Sequence, residues 1–378
     1  MSDERLAFTA TAALGTEPAL RDELRALGMK EVRAGRGSVA FAGTVEDGMR
    51  ACLELRTAMR VLWRLAQVPA ADQDALYEGV RTINWLDHVT PRHTIAVEAN
   101  GGNEALRHSG FVALKVKDAI ADTLRDRVGA RPNVDAKNPD VPVVVHIRGP
   151  QAQVYLDLAG QALHRRGYRP ADVEAPLKET LAAALVLLSG YRGTEPFCDP
   201  MAGSGTIAVE AALIALGRAP GLGRHFAFER WPSFAGAQQS SWHRLVHRAR
   251  EAVRTQAPDI LARDWLDRPM RTLQESVIRA GVSGAVRVER GDVRRLALPP
   301  GPGLVVSNPP YAERIGKDLQ VRGLYRSLGE VSKTWTGWRV SLFSGHLGFE
   351  REFGRNATRR VRLFNGALPA TLFAFDPQ

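Results

Sequence analysis

A buried strand that ends in two consecutive prolines constrains this chain more than any other feature. Gly303–Ser307 is a short apolar run, and Asn308-Pro309-Pro310-Tyr311 follows it directly. The run predicts a strand buried on both faces, and the prolines must end it because neither can donate a hydrogen bond to a sheet. The turn would then lie at the carboxyl edge of a sheet, where open α/β sheets bind ligands.

This turn carries the groups that methylation of an exocyclic amino group requires. The Asn308 side-chain oxygen and the Pro309 carbonyl can accept both N–H hydrogens, and Tyr311 can stack on a base. Such hydrogen bonds would draw the nitrogen lone pair out of ring conjugation and direct it at an electrophile. On this motif alone, a strand followed by a proline turn without a function is an equal alternative.

A second motif lies upstream, where Phe197-Cys198-Asp199 runs into a glycine-rich turn and then the helical pattern Ile207–Leu213. The turn lacks the glycine spacing of dinucleotide-binding folds and the Gly-Lys pair of a P-loop. It resembles the S-adenosylmethionine loop of class I methyltransferases, in which Asp199 would face the methionine amino group. The resemblance implies further cofactor contacts from Met201, Gly203, Ser204, Gly205 and Thr206.

Two further carboxylates end predicted strands behind this loop. Asp264 closes the second strand and could accept hydrogen bonds from both ribose hydroxyls, as acidic residues do in nucleotide-binding α/β folds. Asp292 closes the third strand and could receive the adenine amino group. Helix capping is the alternative for both residues, because aspartate is a preferred N-cap.

Composition excludes several classes of protein. The apolar content of 44% and the charged content of 24% are those of an ordinary globular protein. No apolar stretch is long enough to span a membrane, and the first residues lack the pattern of a signal peptide. Cys52 and Cys198 are the two cysteines, so we expect a reduced, cytoplasmic protein without a disulfide framework. We also expect no bound metal.

The net charge of +10 is unevenly distributed along the chain. Residues 1–150 carry 20 basic and 20 acidic side chains, whereas residues 151–378 carry 31 basic and 21 acidic side chains. A basic surface attracts a polyanion such as nucleic acid. Compositional drift towards arginine is the competing explanation.

Strand and helix patterns predict an α/β protein in several parts. Alternating elements over residues 1–70 predict a ferredoxin-like domain, and a second α+β segment covers residues 71–160. Residues 161–175 are rich in Arg, Gly and Pro and predict a linker. Residues 176–378 predict a Rossmann-like sheet whose strands fall at 196–199, 259–264, 285–291, 303–307 and 338–344. An antiparallel hairpin with an Asn365-Gly366 turn ends that sheet.

Over nearly its whole length, the chain resembles the THUMP-domain guanine-N2 RNA methyltransferases that modify bacterial large-subunit rRNA. The resemblance rests on the two motifs above and on these segments: Asn84-Trp85, Arg107-His108-Ser109, Lys115–Ile120, Arg131–Asp135, Leu163–Arg169 and Ala175–Thr180. It identifies residues 71–160 as a THUMP domain. It also implies that the segment containing Lys178 and Thr180 packs over the cofactor.

The resemblance implies transfer of a methyl group from S-adenosylmethionine to N2 of a guanosine that is extruded from its stack. The substrate would be 23S rRNA or tRNA, and we expect a monomer that makes no contact with membranes. An adenine-N6 DNA methyltransferase, a protein-glutamine methyltransferase and a non-catalytic RNA-binding assembly factor remain alternatives. Candidate RNA contacts are Arg107, Lys115, Lys117, Arg165, Arg166, Arg169 and Arg314.

The sequence departs from the family pattern in two places. Leu266 occupies the second acidic position after Asp264, and Asp267 is shifted by one residue, which weakens the expected ribose contact. A second, C-terminal methyltransferase domain found in some relatives is absent from this sequence, so its additional activity is not expected.

Overall fold

The computed structural model describes residues 5–170, 177–310 and 318–377, which fall into two compact units. The first unit comprises the residues up to Ala12, Arg21–Leu163 and Gly221–Arg248. The second comprises Ala13–Leu20, His164–Pro220 and the residues from Ala249 onwards. The α/β class expected from the sequence is confirmed in both units.

The first unit contains an eight-stranded sheet in the order β2-β3-β1-β4-β8-β7-β5-β6. Its strands are β1 (Leu6–Thr11), β2 (Lys30–Gly35), β3 (Ser38–Gly43), β4 (Arg60–Pro69), β5 (Thr94–Gly102), β6 (Asn133–Val134), β7 (Val141–Arg148) and β8 (Gln151–Asp157). Its helices are α1 (Glu17–Ala26, which begins in the second unit), α2 (Val45–Glu54), α3 (Gln73–Arg81) and α4 (Ser109–Val128).

Side chains of this sheet alternate between a helix-covered face and an opposite face. Phe8 of β1 lies against Gly48 of α2, where an added Cβ would approach the ring to 2.7 Å. Thr9, the next residue along β1, points to the opposite face. Antiparallel pairing of β4 with β8 makes the sheet continuous, so the ferredoxin-like and THUMP segments share one sheet. The sequence did not predict this sharing.

Residues Gly221–Arg248 pack within the first unit although they interrupt the sequence of the second. The Gly221 amide donates to the Leu53 carbonyl at 2.9 Å, and the Trp231 indole N–H donates to the Asp140 carbonyl at 3.2 Å. The Trp231 ring lies 6.3 Å from that of Trp63. The sequence predicted that this segment belongs to the methyltransferase domain, but its packing partners lie in the first unit.

The second unit contains a seven-stranded sheet in the order β11-β10-β9-β12-β13-β15-β14. Its strands are β9 (Phe197–Asp199), β10 (Ile260–Asp264), β11 (Val286–Arg290), β12 (Gly303–Ser307), β13 (Trp338–Ser344), β14 (Arg359–Asn365) and β15 (Leu368–Phe375). The first five strands are parallel, and β15 runs antiparallel to both β13 and β14. This is the predicted parallel sheet ending in an antiparallel hairpin.

Helices cover both faces of the second sheet, as the burial of every residue of β12 requires. These helices are α5 (Glu179–Leu188), α6 (Thr206–Ala215), α8 (Asp267–Arg279), α9 (Asp318–Ser332) and α10 (Phe349–Phe353), whereas α7 (Ala237–Glu251) belongs mostly to the first unit. One core contains residues of α5, α6 and α8, and the other contains residues of α9 and α10. No helix in the described ranges combines the length and apolar character needed to cross a membrane.

The arginines of the predicted linker correct one sequence-based expectation. The Arg166 side chain is 2% exposed, and its Nε lies 3.1 Å from Glu210 of α6. The Tyr168 hydroxyl donates to the same carboxylate at 2.9 Å. Arg169 pairs with Glu179 of α5 at 2.5 Å. Arg166 and Arg169 were expected to contact phosphate, but they neutralise buried carboxylates because α5 and α6 are buried on nearly every side.

We expect a fragment starting at residue 164 to aggregate. It retains Gly221–Arg248 but lacks Arg21–Leu163, so Phe228, Trp231 and Trp242 would lose their cover. Burying one such side chain stabilises a fold by about 1.5–3 kcal/mol. Size-exclusion chromatography of the expressed fragment measures the effect, and co-expression with residues 5–163 should restore a soluble species. A monodisperse fragment on its own would contradict this assignment.

We expect Arg166→Ala to lower the free energy of unfolding by about 3–5 kcal/mol, because Glu210 would remain buried without its ion-pair partner. Arg271 of α8 is exposed in the same unit and provides a matched control, for which Arg271→Ala should change stability by about 0.5 kcal/mol or less. Urea unfolding of both variants compares them directly. Equal stability of the two variants would return Arg166 to the list of candidate RNA contacts.

Candidate active site

Three strands bring the predicted site residues to one edge of the second sheet. β9 pairs in parallel with β10 on one side and with β12 on the other, aligning Asp199 with Ala262 and Cys198 with Val305. The carboxyl ends of the three strands therefore face the same way. Chain connections leave β9 and β12 in opposite directions across the sheet, and such a switch point forms a crevice for ligands.

Asp199 lies at the centre of this edge and is 1% exposed. Its Oδ1 accepts a hydrogen bond from the Ser307 hydroxyl at 2.6 Å and one from the Met201 amide at 3.3 Å. Burial, with a smaller contribution from the nearby Asp264 carboxylate, raises the pKa of Asp199 to about 7 against the opposing effect of these two hydrogen bonds. This carboxyl group can therefore ionise fully near neutral pH only when a cation compensates for its burial.

The glycine-rich turn after β9 adopts the conformation that its sequence predicts. Gly203 and Gly205 have φ angles of +55° and +83°. A Cβ on Gly205 would lie 2.2 Å from Leu273 of α8, so any larger residue would also separate α6 from α8. Ser204 and Thr206 lie in the same turn, with their hydroxyl oxygens 3.2 Å apart.

Asp264 binds the backbone of this turn. Its Oδ2 accepts from the Gly203 amide at 2.8 Å, and its Oδ1 accepts from the Leu266 amide at 3.0 Å. Each carboxylate oxygen retains a second lone pair, so the predicted ribose contact is compatible with these bonds. Asp267 is the first residue of α8 and pairs with Arg290 at 2.9 Å.

Asp292 shows the capping role that the sequence left open. Its Oδ1 accepts from the Arg294 amide at 2.9 Å and caps the 3₁₀ helix Val293–Arg295. The Arg294 guanidinium also pairs with this carboxylate and lowers the pKa of Asp292. An adenine contact would have to share the carboxylate with Arg294, and that contact stays a prediction.

Lys178 and Thr180 lie at the start of α5. Lys178 is the N-cap residue and is half-buried, whereas Thr180 is 3% exposed. Their cofactor contacts stay a prediction.

Asn308 follows β12 as expected and carries an unusual polar atom. Its side-chain oxygen is buried and, within the described residues, has no hydrogen-bond partner. A buried acceptor without a partner costs about 1–3 kcal/mol, so such atoms mark strain or a missing ligand. Here the acceptor lies next to Ser307, whose hydroxyl already binds Asp199. An N–H donor from a ligand would satisfy it.

Sequence reasoning missed the residue that anchors the proline turn. Tyr325 of α9 is fully buried, and its hydroxyl donates to the Pro310 carbonyl at 2.9 Å. The Ser344 hydroxyl at the end of β13 lies 3.1 Å from the Tyr325 hydroxyl oxygen. Pro309 is buried beside them. Tyr325 therefore fixes the exit of the strand, a role that no local motif around it indicates. Tyr311 and Arg314 lie outside the described residues.

The remaining candidate RNA contacts are scattered. Lys115 lies 3.5 Å from Asp74 and 5.0 Å from the Tyr77 ring centroid, and Lys117 pairs with Asp118. Arg107 is exposed and donates to the Glu104 carbonyl at 3.0 Å. Lys115 and Lys117 thus have acidic partners on the helical side of the first unit. The described residues contain no group of three or more His, Cys, Asp or Glu side chains that could hold a metal.

Comparison with known families matches most of the chain in three segments. Residues 166–374 match the family described as the RMKL-like methyltransferase domain. Residues 70–157 match the THUMP domain, and residues 7–62 match the RlmL ferredoxin-like domain.

Individual proteins agree with these matches. The "Ribosomal RNA large subunit methyltransferase K/L" of Syntrophotalea carbinolica is 42% identical over 99% of this chain, which spans 54% of that relative. The chain thus spans about half the length of the curated relatives it matches. Among solved structures, the methyltransferase SMU.472 in complex with SAH aligns over 100% of this chain and 99% of its own, with 30% identity and a TM-score of 0.90.

A further structure is a protein from Listeria monocytogenes named as a predicted N6-adenine-specific DNA methylase. It aligns over 99% of this chain and 97% of its own, with 29% identity and a TM-score of 0.89. Every strand of both sheets lies wholly or partly within one of the three family matches. The chain belongs to the family of RMKL-like methyltransferases that carry an N-terminal RlmL ferredoxin-like domain and a THUMP domain.

Proposed function

We propose that this protein transfers a methyl group from S-adenosylmethionine to the exocyclic N2 of a guanosine in 23S rRNA. The observation that carries the proposal is the Asn308 side-chain oxygen, which is buried beside the switch point of the second sheet and has no hydrogen-bond partner among the described residues. That oxygen can accept a hydrogen bond from an N–H donor, and the amino group of guanine is such a donor.

The residues on one side of the crevice fit the cofactor. S-adenosylmethionine, when bound, supplies a methyl group on a sulfonium, which is a good leaving group. Asp199 can accept from its cationic amino group, and this cation would relieve the cost of ionising a carboxyl that is 1% exposed. Gly203 and Gly205 allow backbone to approach the ligand closely. Asp264 holds that turn through the Gly203 amide.

The residues on the other side fit the acceptor base. Asn308 would hold the amino group with the help of the Pro309 carbonyl, and Tyr311 would stack on the base. The Tyr325 hydroxyl restrains this turn through Pro310 before any substrate arrives. Positioning of this kind accounts for much of the rate enhancement of a reaction that needs no covalent intermediate.

The choice of substrate rests on the names of the relatives. The curated relatives are named for the large ribosomal subunit, which favours 23S rRNA over tRNA. The Listeria protein's name favours adenine N6 of DNA as the second candidate, because its fold aligns equally well. We retain residues 71–160 as an RNA-positioning THUMP domain, which argues for RNA.

Mass spectrometry of nucleosides tests the proposal. Purified protein and labelled S-adenosylmethionine would be incubated in parallel with 23S rRNA, tRNA and DNA, each unmodified, and the products digested. We expect N2-methylguanosine from 23S rRNA. N6-methyladenine from DNA, or no methylated nucleoside from any of the three, would contradict the proposal.

We expect Asn308→Ala to reduce methyl transfer by about 10²–10³-fold, the usual effect of losing one preorganised polar contact. Its affinity for S-adenosylmethionine should change only a few-fold, because Asn308 acts on the acceptor. Single-turnover rates and calorimetry measure the two effects separately. Near-normal turnover would remove Asn308 from the mechanism.

We expect the affinity for S-adenosylmethionine to decrease about tenfold per pH unit below pH 7. Without the cofactor Asp199 has a pKa of about 7, so it binds a proton below that pH, whereas the cationic amino group requires the carboxylate. Calorimetry between about pH 5.5 and 7 measures the slope. Asp199→Asn should bind more weakly and show no slope, and Asn308→Ala should keep the wild-type slope. If the wild-type affinity for S-adenosylmethionine did not depend on pH, the contact between Asp199 and its amino group would be contradicted.

A further inference from the structure

A large cavity opens on the face of the eight-stranded sheet that the helices leave uncovered. Its volume is about 900 Å³, and it lies entirely within the first unit. Thr9 of β1 lines it, whereas Phe8, its neighbour in sequence, packs against α2. The cavity is bounded on one side by the β2–β3 turn and on the other by the paired ends of β7 and β8. It therefore bridges the ferredoxin-like and THUMP segments.

The charge of this cavity is wholly basic. Arg33, Arg36 and Arg148 line it and are exposed, and no aspartate or glutamate lines it. Within the described residues these three arginines form no ion pair and no side-chain hydrogen bond. This contrasts with Arg166 and Arg169, whose charges are neutralised by buried carboxylates.

Of the carboxylates on this face of the sheet, Glu31 lines an adjoining pocket rather than this cavity, and two others are engaged in ion pairs. Glu98 aligns with Val144, and Asp157 aligns with Leu62, so both share the face of the cavity. Arg60 forms ion pairs with both of them. They therefore do not offset the three free arginines, and the cavity should attract an anion.

The floor of the cavity combines a largely buried apolar cluster with amide groups that can contact bases. Leu62, Val144 and Tyr155 form a small apolar cluster on three adjacent strands. Gln151 and Gln153 lie beside it and carry amides that can donate and accept hydrogen bonds. A basic rim above an apolar and amide-bearing floor is the arrangement by which proteins bind unpaired nucleotides.

The backbone that carries the arginine at the tip of the hairpin is fixed before any ligand binds. Arg36 and Gly37 form the two-residue turn between Gly35 and Ser38, and Gly37 has a φ of +71°. The Ala12 amide donates to the Gly37 carbonyl at 2.9 Å, which ties the turn to the end of β1. Less conformational entropy is then lost when Arg36 binds.

We propose that this cavity binds a single-stranded segment of the RNA substrate, with phosphates on Arg33, Arg36 and Arg148 and bases on the floor. The proposal rests on the proposed function for the identity of the RNA. A duplex is the poorer fit, because its base edges lie within grooves where the amides of the floor could not reach them. The face lies opposite α4, the helix that carries Lys115 and Lys117, so it is distinct from the surface that those two lysines form.

Salt-dependent binding of the full chain tests the proposal. A short, fluorescently labelled, mixed-sequence single-stranded RNA would be titrated with the wild type and with Arg33→Gln/Arg36→Gln/Arg148→Gln. On single strands each lost phosphate contact lowers the slope of log affinity against log salt by about 0.7. The triple variant should therefore lose about 2 from the slope and about 100-fold in affinity at about 0.1 M salt.

A charge-matched control separates a local site from general attraction. Arg25→Gln/Arg92→Gln/Arg131→Gln removes three exposed arginines of the same unit that do not line the cavity. This control should keep the wild-type slope. Equal losses in both triple variants, or tighter binding of a matched RNA duplex than of the single strand, would overturn the proposal.

Affinity for S-adenosylmethionine and nucleoside analysis keep the two proposals distinct. Both triple variants should bind S-adenosylmethionine as the wild type does. If the cavity variant loses RNA binding while the wild type yields no methylated guanosine, RNA binding by the cavity is supported and the proposed reaction is contradicted. If the wild type methylates 23S rRNA and the cavity variant retains its RNA affinity, the reaction stands and the cavity proposal fails.

Discussion

The hydrogen bond from the Ser307 hydroxyl to Asp199 joins the two strand ends on which the candidate site depends. It links β9 to β12 at the point where the winding of the sheet reverses, and it partly compensates a carboxyl that is 1% exposed. Because the compensation is incomplete, the pKa of Asp199 remains near 7. The Asp199 carboxyl is therefore only partly ionised near neutral pH until a cation binds beside it. The backbone turn, Asp264 and Asn308 are arranged around this one incompletely satisfied group.

Much of the second unit follows from local sequence. The β12 run and its two prolines predict both the strand and its end, because two consecutive residues without an N–H cannot donate to the ladder. The glycines of the turn predict positive φ angles, and both have them. Parallel topology then brings Asp199 and Asn308 to the same edge. Patterns of this kind can be read from sequence because each depends on backbone geometry within a few residues.

Other features depend on packing between distant segments, and the sequence did not reveal them. Arg166 and Arg169 look like an exposed basic linker, yet their partners Glu210 and Glu179 lie in helices that are almost wholly buried. A signal was present, since a single glutamate in the apolar run of α6 requires a buried cation. Tyr325 gives no such signal, because it lies in α9 and contacts Pro310 in the turn that follows β12. Asp264 was assigned to the correct strand end, but its bond to the Gly203 amide was not foreseen.

The position of Gly221–Arg248 in the first unit has a consequence for synthesis on the ribosome. The sheet of that unit is fully translated once Leu163 has been added, but its packing is complete only when Arg248 has been added, 248 − 163 = 85 residues later. At a translation rate of about 5–20 residues per second this delay is roughly 4–17 s. During that interval the surface that later receives Trp231 is exposed to solvent. The nascent chain must therefore carry an unfinished N-terminal unit while α5, β9 and α6 of the second unit are already being translated.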